Sequence, residues 1–321
     1  MLKEADVIAR GALLGAFVGD ASGATLEFLG RKPNNEDVER ALSMVGGGCW
    51  RVAPGQITDD GELALCLARS LADAQAVDRD KVAEAYVDWF NSGPFDCGNA
   101  TRNAFGHDRA PDRVTAHLVE EAARRSNLES KANGALMRSI GLGIWSWRLS
   151  PEDAAAAARN DARLSHPNPS CQHANAAYAA AVRHLVLNAG DSHGASRAAS
   201  AALNDEGAEE ARSWLGEAET GSRPPYHPNA GFVRIAFTHA LRHLKAETPF
   251  VEALRETLTG GGDTDTNACI VGGLMGAFHG EDGIPQPMRA AVLTCDTALG
   301  RPRPKFFSTR DAASLADQLT Q

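Results

Sequence analysis

Arg10-Gly11-Ala12-Leu13-Leu14-Gly15-Ala16-Phe17-Val18-Gly19-Asp20-Ala21-Ser22-Gly23 places a glycine at every fourth residue: Gly11, Gly15, Gly19 and Gly23. Residues four apart share one face of an α-helix, so this spacing leaves a face with no side chain and lets another backbone approach closely. Working outward, the helical signal dominates the chain. Alanine-rich runs recur at Ala154 to Ala158 and in Asn175-Ala176-Ala177-Tyr178-Ala179-Ala180-Ala181, while good strand formers never alternate for long. The expected fold is therefore all-α. Ser150-Pro151 and Thr248-Pro249 each read as a cap residue followed by proline at the first helical position, and Gly260-Gly261-Gly262 reads as a stop. Helices are expected near 5–18, 60–73, 80–91, 112–126, 134–148, 151–160, 171–188, 230–245, 249–259, 266–279 and 308–319, with Gly/Pro-rich connections at 30–56, 92–98, 163–170, 205–228 and 280–287. No internal repeat and no long Ser-, Gly- or Pro-rich linker divides the 321 residues, so 1–321 is expected to form a single domain.

The charge balance narrows the function classes. A net charge of −9 leaves no broad basic surface for a phosphate backbone, which argues against nucleic acid as the main partner. Six scattered cysteines, Cys49, Cys66, Cys97, Cys171, Cys269 and Cys295, form no C-x-x-C pair and mostly lie in apolar patterns, as reduced core thiols of a cytoplasmic protein would. Met1-Leu2-Lys3-Glu4-Ala5-Asp6 is too acidic for a signal peptide, and no apolar run reaches the length of a membrane span. A cytoplasmic monomer without membrane contact is the expectation.

Three separated segments carry oxygen ligands at the edges of apolar helices: Gly19-Asp20-Ala21-Ser22-Gly23-Ala24-Thr25-Leu26-Glu27, Thr58-Asp59-Asp60 and Gly262-Asp263-Thr264-Asp265-Thr266. Glu27, Thr58, Asp59, Asp60, Asp263, Asp265 and Thr266 form a set without Cys or His, which suits magnesium, manganese or calcium and argues against zinc or copper. Each segment also has a plainer reading. Asp20 could simply cap a helix or face solvent. Asp59 could cap the helix carrying Leu63, Leu67 and Leu71, with Glu62 completing a capping box; that leaves Thr58 and Asp60 unexplained. Asp263-Thr264-Asp265-Thr266-Asn267 opens like an EF-hand loop, but Ala268 replaces the sixth-position glycine and Leu274 the twelfth-position glutamate, so that reading fails. The segment runs into the apolar Ile270-Val271-Gly272-Gly273-Leu274-Met275-Gly276-Ala277-Phe278, where unpaired carboxylates would cost several kcal/mol each, and shared metal is the economical way to satisfy them.

Other loops hold polar clusters. In Asp96-Cys97-Gly98-Asn99-Ala100-Thr101, Asp96 and Asn99 are equally readable as an Asx cap on the next helix. His166, in Ser165-His166-Pro167-Asn168, is by itself more typical of a surface residue. The Asn133-Gly134 turn in Lys131-Ala132-Asn133-Gly134-Ala135-Leu136-Met137-Arg138 could offer free helix N-terminal amides to an anion such as a diphosphate. No G-x-x-x-x-G-K-[ST], G-x-G-x-x-G, H-E-x-x-H or G-x-S-x-G occurs.

Taken in order, these motifs, together with Ile57-Thr58-Asp59-Asp60 and Gly231-Phe232-Val233, resemble the ADP-ribosylglycohydrolase family, which includes the dinitrogenase reductase activating glycohydrolases, over nearly the whole chain from Gly11 to Pro285. The resemblance implies the family's compact all-α orthogonal bundle. It implies two divalent cations, Mg2+ or Mn2+, held by Thr58, Asp59, Asp60, Asp263, Asp265 and Thr266, with Glu27 at or beside them. The implied reaction is hydrolysis of the bond joining ADP-ribose to an acceptor side chain, chiefly arginine, on an ADP-ribosylated protein or a small ADP-ribosyl substrate. Glu27 and Asp96 would be the acid/base pair, Asn99 would fix the ribose, Asn133, Gly134 and His166 would line the diphosphate and distal ribose, and Phe232 would stack on adenine. One departure stands out: many relatives carry a hydroxyl residue where this chain has Gly61, and a missing hydrogen bond behind the ligands could loosen the metals. Two other classes remain open at the sequence level: a non-catalytic ADP-ribose-binding or structural relative, and a metal-dependent phosphoester hydrolase. The acceptor linkage rests on loops such as 92–98 and 205–228, whose shapes the sequence does not reveal.

Overall fold

A computed structural model describes residues 4–106 and 114–321. In chain order its helices are α1 (Glu4–Gly23), α2 (Asn35–Leu42), α3 (Asp59–Leu71), α4 (Arg79–Asn91), α5 (Asn99–Phe105), α6 (Ala116–Asn127), α7 (Ile140–Trp145) and α8 (Pro151–Ala162). They continue with α9 (Pro169–Leu187), α10 (Ser192–Ala201), α11 (Glu209–Glu219), α12 (Val233–Lys245), α13 (Phe250–Gly260), α14 (Thr264–His279), α15 (Gln286–Thr294) and α16 (Ala312–Leu319). Among the described residues β-pairing amounts to two isolated bridges, Gly47 with Val52 and Ala132 with Phe232, so the all-α expectation holds.

The glycine ladder of α1 decides how the bundle is built. Helix α1 is buried on every side from Gly11 onward, as a central helix must be. A Cβ at Gly11, Gly15, Gly19 or Gly23 would fall inside the van der Waals shell of the carbonyl oxygen of Gly276, Gly272, Ala268 or Thr264, respectively. The partner numbers fall by four as the α1 numbers rise by four, so α1 and α14 run antiparallel, backbone against backbone. Gly272 and Gly276 return the contact, since a Cβ on either would strike the Gly15 or Gly11 carbonyl. This register sets the C-terminal end of α1 beside the N-terminal end of α14. Leu13, Leu14 and Phe17, all fully buried, fill the other faces of α1.

Local chemistry explains several boundaries. Ser150 caps α8 by accepting from the Asp153 amide at 3.1 Å, as its sequence suggests. Thr248 does not cap α13; Pro249 occupies the cap position and its carbonyl accepts from Ala253 at 3.0 Å. Helix α13 stops at Gly261, whose φ of 73° favours a residue without a Cβ. Helix α1 runs five residues past the expected 18, through Gly19 and Gly23, because the close contact with α14 compensates glycine's low helix propensity. The helix expected at 134–148 shrinks to α7 and a 3-10 turn, Ser146–Arg148. Of the helix expected at 112–126, residues 112–113 lie outside the described set, as do Met1 to Lys3; α6 starts after Thr115, whose hydroxyl accepts from the Leu118 amide. Helices α2, α5, α10, α11 and α15 lie in stretches read as connections or left unassigned. For α11 the signal is present, since Ala211, Trp214, Leu215 and Ala218 are the buried residues of one helix face. Four of the six cysteines are buried, whereas Cys49 is exposed and Cys97 partly so. Among the described residues no helix is long and apolar enough to cross a membrane.

Candidate active site

The three oxygen-bearing segments meet. Antiparallel packing of α1 on α14 brings Asp20 and the turn carrying Glu27 to the segment 263–266, and the Thr264 hydroxyl pins the junction by donating to the Gly23 carbonyl at 2.8 Å. The third segment joins through Asp20. Its carboxylate accepts from the Thr58 amide at 3.1 and 3.0 Å, from the Thr58 hydroxyl at 2.9 Å and from the Gly61 amide at 2.8 Å. Asp20 thus caps α3 from another helix, and Thr58 at the cap position makes no side-chain cap bond of its own. Gly61 is part of this arrangement: a Cβ there would lie 2.7 Å from Asp20 Oδ2 and 2.8 Å from the Ile57 Cβ. Glu62 completes no capping box. It forms a buried ion pair with Arg303, Nε to Oε1 and Nη2 to Oε2 both 2.8 Å, and accepts from Trp89 Nε1 at 2.7 Å.

The carboxylates crowd around one point. Glu27, Asp96 and Asp265 each place an oxygen within 4.8 Å of the others. Trp50 Nε1 donates to Glu27 Oε2 at 2.5 Å, the Cys97 amide to Asp96 Oδ1 at 2.8 Å, the Thr266 amide to Asp265 Oδ1 at 2.9 Å, and Asn133 Nδ2 to Asp263 Oδ2 at 2.7 Å. Neither Asp96 nor Asn99 caps α5, whose cap position is Gly98 with no side-chain bond. The Thr58 hydroxyl lies 2.9 Å from Asp20 Oδ1 and 3.0 Å from Asp60 Oδ2, but it has a single proton and can donate to one of them at a time. Asp60 Oδ1 is buried with no hydrogen-bond partner.

The electrostatic consequence is severe. Burial, then neighbouring negative charge, pushes the Asp59, Asp60 and Asp265 carboxyls well above the ordinary range. Glu27 is pushed up to about 8, first by burial and then by Asp96. Asp20 rises to about 7 through burial despite the donors from Thr58 and Gly61. Among the described residues none of these carboxylates forms an ion pair; Arg102 lowers Asp96 at longer range, but its guanidinium bonds the Cys97 carbonyl. A cluster that repels itself, with an orphaned buried oxygen and an oxygen-only donor set, fits a hard divalent cation. Three oxygens within 4.8 Å can also share one such ion after a small inward shift, since metal–oxygen distances are about 2.0–2.6 Å. A second candidate group, His239, His243 and Glu256, does not fit, because Arg242 lies among them and bonds both His243 Nε2 and Glu256 Oε1.

A cavity of about 750 Å³ opens above the cluster, lined by Glu27, Asp59, Asp96, Asp263, Asp265 and Thr266. Thr58 and Asp60 lie beneath its floor, 0 % and 1 % exposed. Asn99, Asn133, Gly134 and His166 line the walls, so the structure brings them to the site with the carboxylates. His166 is fully buried, not a surface residue. Its Nδ1 lies 2.8 Å from Ser165 Oγ, its Nε2 has no partner and aims at Gly134, and burial together with Arg138 pushes its pKa down to about 3. The imidazole is therefore neutral and can offer a hydrogen bond. The Asn133-Gly134 turn does not open a helix: the Leu136 and Met137 amides return to the Asn133 carbonyl, and α7 starts six residues later. Phe232 is not brought to the cavity wall; its ring packs edge-on against Trp214 at 5.4 Å. Sequence reasoning missed Asp20 as the cap of α3, Trp50 as the Glu27 donor, and Phe28 in the wall. Phe28 was legible only as the neighbour of Glu27, and nothing in the 30–56 segment marks Trp50.

The comparisons agree with this architecture. The sequence pattern of the ADP-ribosylglycohydrolase family matches residues 4–321. The chain is 31 % identical to ADP-ribosyl-dinitrogen reductase glycohydrolase of Rhodospirillum rubrum, over 86 % of this chain and 87 % of that protein. It is 31 % identical to ADP-ribosylarginine hydrolase Tri1 of Pseudomonas putida, over 86 % of this chain and 72 % of that protein. A solved ADP-ribosylglycohydrolase-related protein complex superposes with a TM-score of 0.74 at 28 % identity, covering 99 % of this chain and 98 % of its own. The family pattern spans the described helices from α1 to α16, and relatives of 31 % identity are covered over most of their length, so the chain belongs to the ADP-ribosylglycohydrolase family.

Proposed function

We propose that this glycohydrolase cleaves the bond between ADP-ribose and an arginine side chain, reversing protein mono-ADP-ribosylation with two bound Mg2+ or Mn2+ ions. The observation that carries the reading is the cluster of carboxylates at the cavity floor that forms no ion pair among the described residues. Thr58, Asp59, Asp60, Asp263, Asp265 and Thr266 would hold the ions, with Glu27 beside them. When bound, the cations supply the positive charge that orients ribose hydroxyls and activates a water. The chain's own residues do the rest. Asp20 holds the α3 start in place through Thr58 and Gly61, and Asn133 fixes Asp263. Glu27 and Asp96 are the acid/base candidates: hydrolysis adds hydroxide to the anomeric carbon and a proton to the leaving guanidine, so one group must take a proton and one must give it. Each places an oxygen within 4.8 Å of the other, close enough for both to serve one anomeric carbon. Asn133, His166 and Gly134 would line the diphosphate and distal ribose, and Asn99 would help fix the ribose. The arginine acceptor is supported by the name of the Pseudomonas putida relative. The whole chain would act as a single domain.

The test has two parts. Free ADP-ribose titrated calorimetrically should bind with Mg2+ or Mn2+ present and lose affinity in EDTA; equal affinity in both removes the metal-centred account. ADP-ribosyl-arginine peptide should release ADP-ribose under the same metals.

A further inference from the structure

The cavity mouth contains an aromatic residue that the chemistry above does not use. Phe28, next to Glu27, lines the cavity yet is 68 % exposed, the most exposed large hydrophobic side chain of the described residues. Its backbone has φ of 53°, a left-handed conformation disfavoured for a bulky residue. An exposed ring on a strained backbone needs a compensating role. The Trp50 ring meets it edge-on at 6.0 Å and 73°. Trp50 in turn packs on Phe95 at 5.8 Å, and the Arg301 guanidinium lies 6.0 Å from the Trp50 ring and 5.4 Å from the Phe95 ring. The exposed Phe306 also carries a guanidinium, Arg69 at 4.7 Å. Among the described residues no cation lies over Phe28.

The geometry points to Phe28 as the platform that receives the acceptor guanidinium of ADP-ribosyl-arginine, a specificity-determining residue on the leaving-group side. This rests on the reading of the site given above. The placement follows from which half of the substrate can be buried. An acceptor is attached to a whole protein and must stay at the exposed rim, whereas the nucleotide half can enter the cavity toward buried Asn133 and His166. Phe28 lines the same cavity as Glu27 and is largely exposed, which puts its ring within reach of a group leaving toward solvent. A planar guanidinium gains from an aromatic face, and the carboxylates behind it add attraction; a serine hydroxyl gains neither.

The experiment measures KM for an ADP-ribosyl-arginine peptide and the inhibition constant of free ADP-ribose, which lacks the acceptor, for wild type, Phe28→Ala, Phe28→Leu and Phe28→Trp. The expected result is a rise of about tenfold in the ratio of KM to inhibition constant for Ala and Leu, with Trp restoring it. If KM and the inhibition constant rise together, Phe28 serves the nucleotide half and the inference is overturned; it is equally overturned if Leu matches wild type. A wild-type enzyme that releases no ADP-ribose from the peptide refutes the proposed function itself, a result distinct from either of these.

Discussion

Two groups of buried carboxylates lie in this molecule, and they are treated oppositely. Glu62 and Asp161 are each locked to an arginine. Arg303 grips Glu62 with two bonds of 2.8 Å, and Arg138, fully buried, gives Nε to Asp161 at 3.0 Å while its guanidinium rests 4.6 Å from the Tyr86 ring. Five others, Asp20, Glu27, Asp59, Asp60 and Asp265, converge with half-buried Asp96 and Asp263 around the ends of α1, α3 and α14, without an ion pair among the described residues. Glu62 is only two positions from Asp60 on the same helix, so position along the chain does not explain the difference. The paired group has its partners in the fold, yet burial still outweighs the pull of Arg303 and Trp89 and holds the Glu62 carboxyl above its ordinary range, so the pair offsets only part of its desolvation. The unpaired group is an open electrostatic debt, which only function can justify.

Neutralising one member of each group should therefore have opposite effects. Asp60→Asn is expected to lower ADP-ribose release by about 10³-fold, the several kcal/mol of a lost metal ligand, while in EDTA its Tm equals or exceeds that of wild type because a repulsive charge is gone. Unchanged turnover in this variant would refute the assigned site. Glu62→Gln should leave Arg303 buried and unpaired, and denaturant unfolding should show a loss of about 3–5 kcal/mol. If Asp60→Asn destabilised the metal-free protein as much as Glu62→Gln, the two groups would not differ and the comparison would collapse.

How much of this was legible in the sequence follows from the range of each interaction. The glycine ladder Gly11, Gly15, Gly19 and Gly23 is local periodicity and announces a close helix contact, although only the structure identifies α14 as its partner. The oxygen-rich segments are visible because capping accounts for one carboxylate at a helix start and leaves the others, at the edge of an apolar run, in need of a partner. Arg303, 241 residues from Glu62, is not visible, nor is Asp20 as the cap of Thr58, 38 residues away; neither contact leaves a periodic trace. Local reading instead paired Glu62 with Asp59 in a capping box, a choice that tertiary packing overrides. Phe232 is similar: its aromatic character was evident, but whether it faces the cavity or Trp214 depends on α11, which lies inside the stretch 205–228 read as a connection.

Cation addition probes the unpaired group alone. With Mg2+ or Mn2+ at about 100 times its dissociation constant, binding to the folded state should add about 2.7 kcal/mol, a rise in Tm of about 5 °C. Matched ionic strength from NaCl should not reproduce it. The same rise should survive in Glu62→Gln, starting from a lower Tm, and vanish in Asp60→Asn. A rise that persists in Asp60→Asn would place the cation elsewhere.

The smallest effect gives the closest comparison, because each group contains one glutamate bonded by one indole. Trp50 Nε1 donates to Glu27 at 2.5 Å and Trp89 Nε1 donates to Glu62 at 2.7 Å. Replacing either with phenylalanine keeps a ring and deletes the donor. In Trp89→Phe, Glu62 keeps both Arg303 bonds, so stability should fall by about 1 kcal/mol with turnover unchanged. In Trp50→Phe, Glu27 has no arginine to hold it. The carboxylate is then free to swing away from Asp96 and Asp265, so kcat should fall about fivefold, with unfolding free energy and ADP-ribose affinity close to wild type. Turnover lost in Trp89→Phe and retained in Trp50→Phe would reverse the roles assigned to the two groups. The expected split, stability from one indole and rate from the other, follows from a single difference: Glu62 has its counter-charge in Arg303, and Glu27 has none among the described residues.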